Sequence, residues 1–282
     1  MKYGTLVRIP ETDNLAAVAR EKFAAITAMG MDACQLVYKP AVYKMEDADI
    51  IRAEADAAGV EISAQFCGYR DAFAQCWDTY FDYKIAGINN PKYGAERLNY
   101  LFSAIPFLKR LGITDMIIPA GFLPNNPFAP EYADMLASVR VLGGKLKAAG
   151  MNLLFETGPE SPISLVRLIE DSGLDNLFIN FDTGNLILYG YGNPMDAAYT
   201  FGKYVRNMHA KDALPPRDPR KLGKEVEIGT GFVDFDKVFR LLAEEGYNRY
   251  VIIEREIAGG DQGASIAKAM GYLQEIVNKY IK

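Results

Sequence analysis

Four side chains in the second half of this chain are suited to holding a cation: Glu156, Asp182, His209 and Glu254. Each lies at or near the end of a short apolar run, in MNLLFE, NLFINFD, VRNMHA and YVIIE, and His209 is the only histidine among 282 residues. Three carboxylates and one imidazole form a hard-to-intermediate donor set, suited to one divalent ion, Mn first, with Mg, Co or Zn open. Their spacing is not a local metal motif, so they act together only if the fold brings four strand ends to one place. A single carboxylate closing an apolar strand is commonly solvated or ion-paired. All four of the last strands ending in metal-compatible groups is less natural on that explanation. A cation so held would polarise a substrate carbonyl and the adjacent hydroxyl and stabilise an enediolate. A carboxylate on either side of the carbon could remove or return a proton, and Glu156 and Glu254 are the best candidates. Tight coordination lowers carboxylate basicity. That leaves room for one glutamate to be structural while Glu160, Lys211 or water moves the proton.

In a closed β/α barrel the C-terminal ends of the strands converge on one mouth. The chain alternates strand-like and helix-like segments throughout. A first strand runs from about Tyr3 to Ile9, followed by ACQLV at 33–37 and VEISAQF at 60–66, with Gly59 as the helix stop before the third strand. AERLNYLFSAIPFLKRLG reads as a helix with Pro106 as a kink or boundary, and ITDMIIPA as the fourth strand. MNLLFE, NLFINFD, VRNMHA and YVIIE supply the last four strands, and Pro162 suits the start of the helix after MNLLFE. Eight such units favour a single (β/α)8 domain over residues 1–282 rather than an open doubly wound sheet. No glycine-rich dinucleotide fingerprint follows the first strand.

Composition narrows the partners. Lys and Arg total 31 against 36 Asp and Glu, a formal charge of −5, which gives no support to a nucleic-acid or anionic-membrane surface. No segment is apolar enough over 18 or more residues to span a membrane, and the N-terminus lacks the apolar stretch of a secretory signal. The three cysteines, Cys34, Cys67 and Cys76, form no metal-type pair and are odd in number, so a reducing cytoplasm is the expected compartment. They have no evident base partner for nucleophilic catalysis.

Two loops stand out by length. Residues 68–93 are rich in aromatics, among them Tyr69, Phe73, Trp77 and Tyr80. They could form a lid that excludes water from a substrate, or a helical insertion that buries its rings or supports a homo-oligomer interface. The 210–233 loop carries Lys211, Asp212, Arg217 and Lys221, which could hold hydroxyls or a phosphate, or form a solvated rim. Its EIGTGFVDF run reads as a turn into the next helix, with Asp234 as N-cap, more readily than as a phosphate cradle. Gln65, ending the third strand, is a further candidate for contact with substrate.

FETGP, FDTGN, HAKD, EIGTGFVDF and GYNRYVIIE together resemble the sugar phosphate isomerase/epimerase family, which has the xylose-isomerase-like TIM barrel fold. The resemblance spans almost the whole chain. It implies Glu156, Asp182, His209 and Glu254 as ligands of a divalent ion. As in ketose epimerases, it also implies Glu156 and Glu254 as opposed acid–base residues. HAKD is similar to the segment in inosose dehydratases, which implies a substrate or proton-transfer role for Lys211. In place of the histidine that many relatives carry three residues after the strand-six aspartate, this chain has Asn185, which can hydrogen-bond a hydroxyl but cannot shuttle a proton near neutral pH. The absence of other histidines sets the chain apart from endonuclease barrels with a three-zinc centre.

The expected activity is isomerisation or epimerisation of a small sugar, sugar derivative or cyclic polyol through an enediolate. The alternatives are a lyase, such as an inosose-type dehydratase or a deglycosidase, and a noncatalytic, metal-stabilised sugar-binding protein. Glu160, Asn185, Lys211, Arg217 and Gln65 are the expected substrate-binding residues.

Overall fold

The computed structural model describes residues 1–38, 42–68, 87–257 and 261–281. Eight parallel strands close into a barrel: β1 (Lys2–Val7), β2 (Ala33–Val37), β3 (Glu61–Phe66), β4 (Asp115–Pro119), β5 (Asn152–Glu156), β6 (Leu177–Asp182), β7 (Val205–Ala210) and, completing the ring beside β1, β10 (Tyr250–Ile253). The helices are α1 (Leu15–Ala28), α2 (Asp47–Ala58), α3 (Gly94–Leu111), α4 (Pro130–Ala148), α5 (Pro162–Ser172), α6 (Thr183–Tyr189), α7 (Pro194–Phe201), α8 (Phe235–Glu244) and α9 (Gln262–Tyr280). The expected (β/α)8 barrel is therefore the fold of this chain.

Local signals act where the sequence places them. Gly59 ends α2 in the left-handed conformation, φ 69°, where a side chain would be strained. Pro162 opens α5, and Asp234 caps α8 by accepting from the Lys237 amide at 3.0 Å. Pro106 is not a helix boundary: α3 runs through it from Gly94 to Leu111. Buried Leu101, Ala104, Phe107 and Leu108 on both sides pack the helix into the core, and that burial outweighs the missing amide hydrogen bond. Two elements had no counterpart in the sequence reading. One is the short helix α6 directly after β6. The other is an antiparallel hairpin of β8 (Asp212–Leu214) and β9 (Lys224–Val226), within what read as plain loop.

The main core lies between strands and helices and includes fully buried Phe23, Phe107, Phe155, Phe181, Phe201 and Phe239. Each such ring contributes about 1.5–3 kcal/mol relative to exposure. A smaller cluster of Ala64, Ile117 and Leu154, with Phe66 and Phe178 against it, fills the barrel lumen on the pleat face that Leu154 shares with Glu156. Among the described residues no helix is long and apolar enough to cross a membrane. Cys34 and Cys67 are buried free thiols, and Cys76 lies outside the described residues, as does most of the 68–93 insertion.

Candidate metal centre and cavity

The strands that end in charge, β5, β6, β7 and β10, are consecutive neighbours in the barrel. Register places Asp182 beside His209 and His209 beside Ile252, and Glu254 follows β10 with its amide bonded to Ala210 O at 3.1 Å. One donor atom from each of Glu156, Asp182, His209 and Glu254 lies within 4.8 Å of all the others, and all four residues are buried. His209 Nδ1 is 2.8 Å from Glu156 Oε1, 3.2 Å from Glu254 Oε2 and 3.7 Å from Asp182 Oδ2.

This donor set fits a divalent cation. Asp182 Oδ1 caps α6 by accepting from the Asn185 amide at 2.8 Å, while Asp182 Oδ2 and His209 Nδ1 are buried without a hydrogen-bond partner among the described residues. Two inward-facing donor atoms of this kind, beside two further carboxylates, are what a hard cation coordinates. Glu156, Asp182, His209 and Glu254 are the residues that would hold it.

Electrostatics show how crowded the negative charge is. Burial pushes Asp182 up to about 7 against the opposing pull of Lys211, and pushes Glu156 up against that of His209. Burial acts the same way on Glu254, but Lys211 and His209 more than reverse it and hold the carboxyl well below its ordinary range. Burial alone would lower His209, yet Glu254, Asp182 and Glu156 raise it well above 6.5. Without a metal, protons and Lys211 balance the three carboxylates.

Lys211 is almost fully enclosed. Its ammonium bonds Asn185 Oδ1 at 3.1 Å, Glu254 Oε2 at 3.2 Å and the Glu256 carboxylate, with Asp182 Oδ2 at 3.6 Å. Its backbone is fixed by Thr183 Oγ1, which donates to Lys211 O at 2.6 Å. Gly184 makes that approach feasible, because a Cβ there would sit 2.7 Å from Lys211 Cγ. Asn185 is committed at its other end too, donating from Nδ2 to Thr157 O at 3.1 Å.

The glycines of EIGTGFVD serve the residue after Lys211. Asp212 Oδ2 accepts from the amides of Gly229 and Gly231 at 3.0 and 2.8 Å, and Oδ1 accepts from Ala213 and Val233 at 2.9 and 3.1 Å. A Cβ on Gly231 would lie 2.2 Å from Asp212 Oδ1, so only glycine lets the backbone close on the carboxylate. The run is a cradle for this chain's own aspartate, and it pins the loop beside the site.

Above the cluster opens a cavity of about 830 Å³, lined by Glu156, Glu254, Lys211 and Asn185 and walled by Phe66, Tyr189 and Arg8 among others. Glu160 also lines it. Its Oε1 accepts from the Gly158 amide at 2.9 Å, while the buried Oε2 has no partner among the described residues. Burial pushes its carboxyl up to about 8, so Glu160 is a neutral acid at pH 7. Two other expected contacts lie elsewhere. Arg217 is exposed on the β8–β9 connection, and neither it nor Gln65 is among the residues lining the cavity. Pairing between β2 and β3 shifts register at Cys34/Gln35, which resets the alternation of β3. Gln65 then pairs with Met116 of the outer core, and Phe66 takes the mouth.

Sequence reasoning passed over two residues. Glu256, two positions after Glu254, completes the Lys211 pairing. Gln35, the one polar residue in ACQLV, places Oε1 2.6 Å from His209 Nε2. A polar residue in an otherwise apolar strand was the available signal.

The sequence pattern of the xylose isomerase-like TIM barrel family matches residues 23–276. Among solved structures, a xylose isomerase domain protein from Planctomyces limnophilus is similar over 99% of each chain, with 28% identity and a TM-score of 0.83. A 3-keto-D-glucoside 4-epimerase from E. coli shares the fold at 19% identity, with a TM-score of 0.71, over 98% of this chain and 99% of that one. An inosose dehydratase of Clostridium botulinum is 25% identical over 162 residues, 51% of this chain and 52% of that protein. The matched stretch spans about half the length of such curated relatives. With the family pattern covering most of the barrel and its charged strand ends, the chain belongs to the xylose isomerase-like TIM barrel family.

Proposed function

We propose that this protein is a divalent-metal-dependent isomerase or epimerase of a small sugar or sugar derivative. The observation that carries this reading is the arc of strand ends in which Glu156 and Glu254 flank Asp182 and His209 and themselves line the cavity. Glu156, Asp182, His209 and Glu254 would hold a divalent ion, manganese first by donor type, which when bound would supply Lewis acidity toward a carbonyl and its developing negative charge. Glu156 and Glu254 approach from different strands, so one removes the proton beside the carbonyl and the other returns it on the opposite face. Lys211 fixes Glu254 and screens its charge, while Asn185 fixes Lys211.

A second reading, a lyase acting on an inosose-type cyclic polyol, is favoured by the similarity to inosose dehydratases and by Glu160. Its neutral acid with a free oxygen could protonate a departing hydroxyl. Both readings are tested by incubating the manganese-loaded protein with ketoses and with 2-keto-myo-inositol in deuterated water and following the products by NMR. Deuterium at the carbon beside the carbonyl with an epimeric product supports the first, and loss of water supports the second. No exchange with any of these substrates, by a protein that retains its ion, would count against enolisation of this substrate class.

A further inference from the structure

The barrel interior carries a polar relay that the chemistry above does not use. His209, Gln35 and Asn180 are fully buried on β7, β2 and β6. Gln35 Nε2 donates to Asn180 Oδ1 at 3.1 Å, which leaves Gln35 Oε1 facing His209 Nε2 at 2.6 Å. An amide oxygen only accepts, so in this wiring the hydrogen of a neutral imidazole sits on Nε2. Nδ1 then presents its lone pair to Glu156, Asp182 and Glu254.

We propose that Gln35, held by Asn180, is the positioning residue that fixes the ring orientation and tautomer of His209, so that Nδ1 is the nitrogen given to the cation. This inference rests on the metal-site reading above. Outer partners of this kind orient a ligating histidine, and their loss typically weakens metal binding 10- to 100-fold. The opposite wiring, with both amides reversed, puts a donor against Nε2 and the hydrogen on Nδ1. That nitrogen would then have no lone pair to offer.

Gln35 is well placed for the task. It stands at the register shift between β2 and β3, and the same region is braced by Ser63, which donates to Cys34 O at 3.0 Å and accepts from Asn207 Nδ2 at 3.1 Å. The relay therefore ties the metal-side strands to the opposite wall through hydrogen bonds inside the lumen.

His209 being the only histidine makes the test direct. Full-length protein labelled with 15N-histidine and loaded with Mg2+, which is diamagnetic, gives a two-bond nitrogen–proton correlation from a single imidazole. The expected spectrum of the native protein shows the hydrogen on Nε2 and a perturbed Nδ1. Gln35→Met, of similar size but without the acceptor, is expected to lose that single tautomer and to bind Mn2+ 10- to 100-fold more weakly. Gln35→Glu, which keeps an oxygen acceptor, is expected to restore the Nε2–H tautomer and most of the affinity. A native spectrum with the hydrogen on Nδ1 in the loaded protein overturns the inference while leaving the metal site standing. So does a Gln35→Met protein with native tautomer and native Mn2+ affinity. An imidazole that responds to neither ion overturns the metal reading and this inference together. The native spectrum needs no variant, so a misfolded substitution does not remove the test.

Discussion

The two arcs of the barrel mouth are built from opposite materials. β5, β6, β7 and β10 bring Glu156, Asp182, His209 and Glu254 to one point, whereas β1 to β4 end in Val7, Val37, Phe66 and Pro119. Both arcs are parallel strands of one barrel, so the difference comes from which side chains their registers bring to the mouth. One arc concentrates buried groups that could hold a cation, and the other supplies wall, with Arg8 on its rim. Gln35 departs from this division, a residue of an apolar-arc strand whose amide reaches His209 in the charged one. Chemistry and shape are thus assigned to different strands, and substitutions in the two arcs should fail differently.

The largest effect is expected in the charged arc. Glu254→Gln should slow deuterium exchange into a turned-over ketose by about 10³-fold at saturating Mn2+. Exchange within tenfold of native would move proton transfer to another group, Glu160 or Lys211. Behind the apolar arc, in the core between strands and helices, Phe23→Ala on α1 removes a fully buried ring. It should cost about 3–5 kcal/mol in urea unfolding of the metal-free protein and leave Mn2+ affinity unchanged. A matching loss of affinity would break the division between the arcs.

Glu160 gives a smaller, pH-dependent effect. Its folded value of about 8 lies above the ordinary 4.5, so between these values the native state keeps a proton that the unfolded chain has released. That contribution is present at low pH and is lost as pH rises through the window, by at most about 1.4 kcal/mol per pH unit. Glu160→Gln should remove this part of the slope in urea unfolding measured across the window, and an unaltered slope would mean that Glu160 is ionised. The smallest effect belongs to Arg217→Ala, at an exposed residue away from the cavity lining. Turnover within twofold of native is expected, and a larger loss would place the β8–β9 connection over the substrate.

The barrel and its charged arc were legible in the sequence because each depends on local signals: apolar runs, Gly59, Pro162, the cap at Asp234, and a donor at or near the end of each late strand. What was hidden depends on register and long-range contact. The shift at Cys34/Gln35 is invisible in composition, yet it exchanges the roles of Gln65 and Phe66. Asp212 reads as one more loop charge until the fold brings four amides around it. Pro106 reads as a kink or a helix boundary, and sequence leaves the boundary open because it does not reveal how deeply the neighbouring residues are buried.

The Asp212 cradle also bears on how this scaffold can diversify. The clasp and the hairpin pin both ends of the segment between Leu214 and Lys224, and Lys211 keeps its grip on Glu254 from one residue before the clasp. Grafts of foreign sequence between those ends would meet a low entropic barrier, with each doubling of length costing only about 0.6 kcal/mol. The length of that connection and the geometry of the charged arc are therefore separable traits in this architecture, free to drift at different rates.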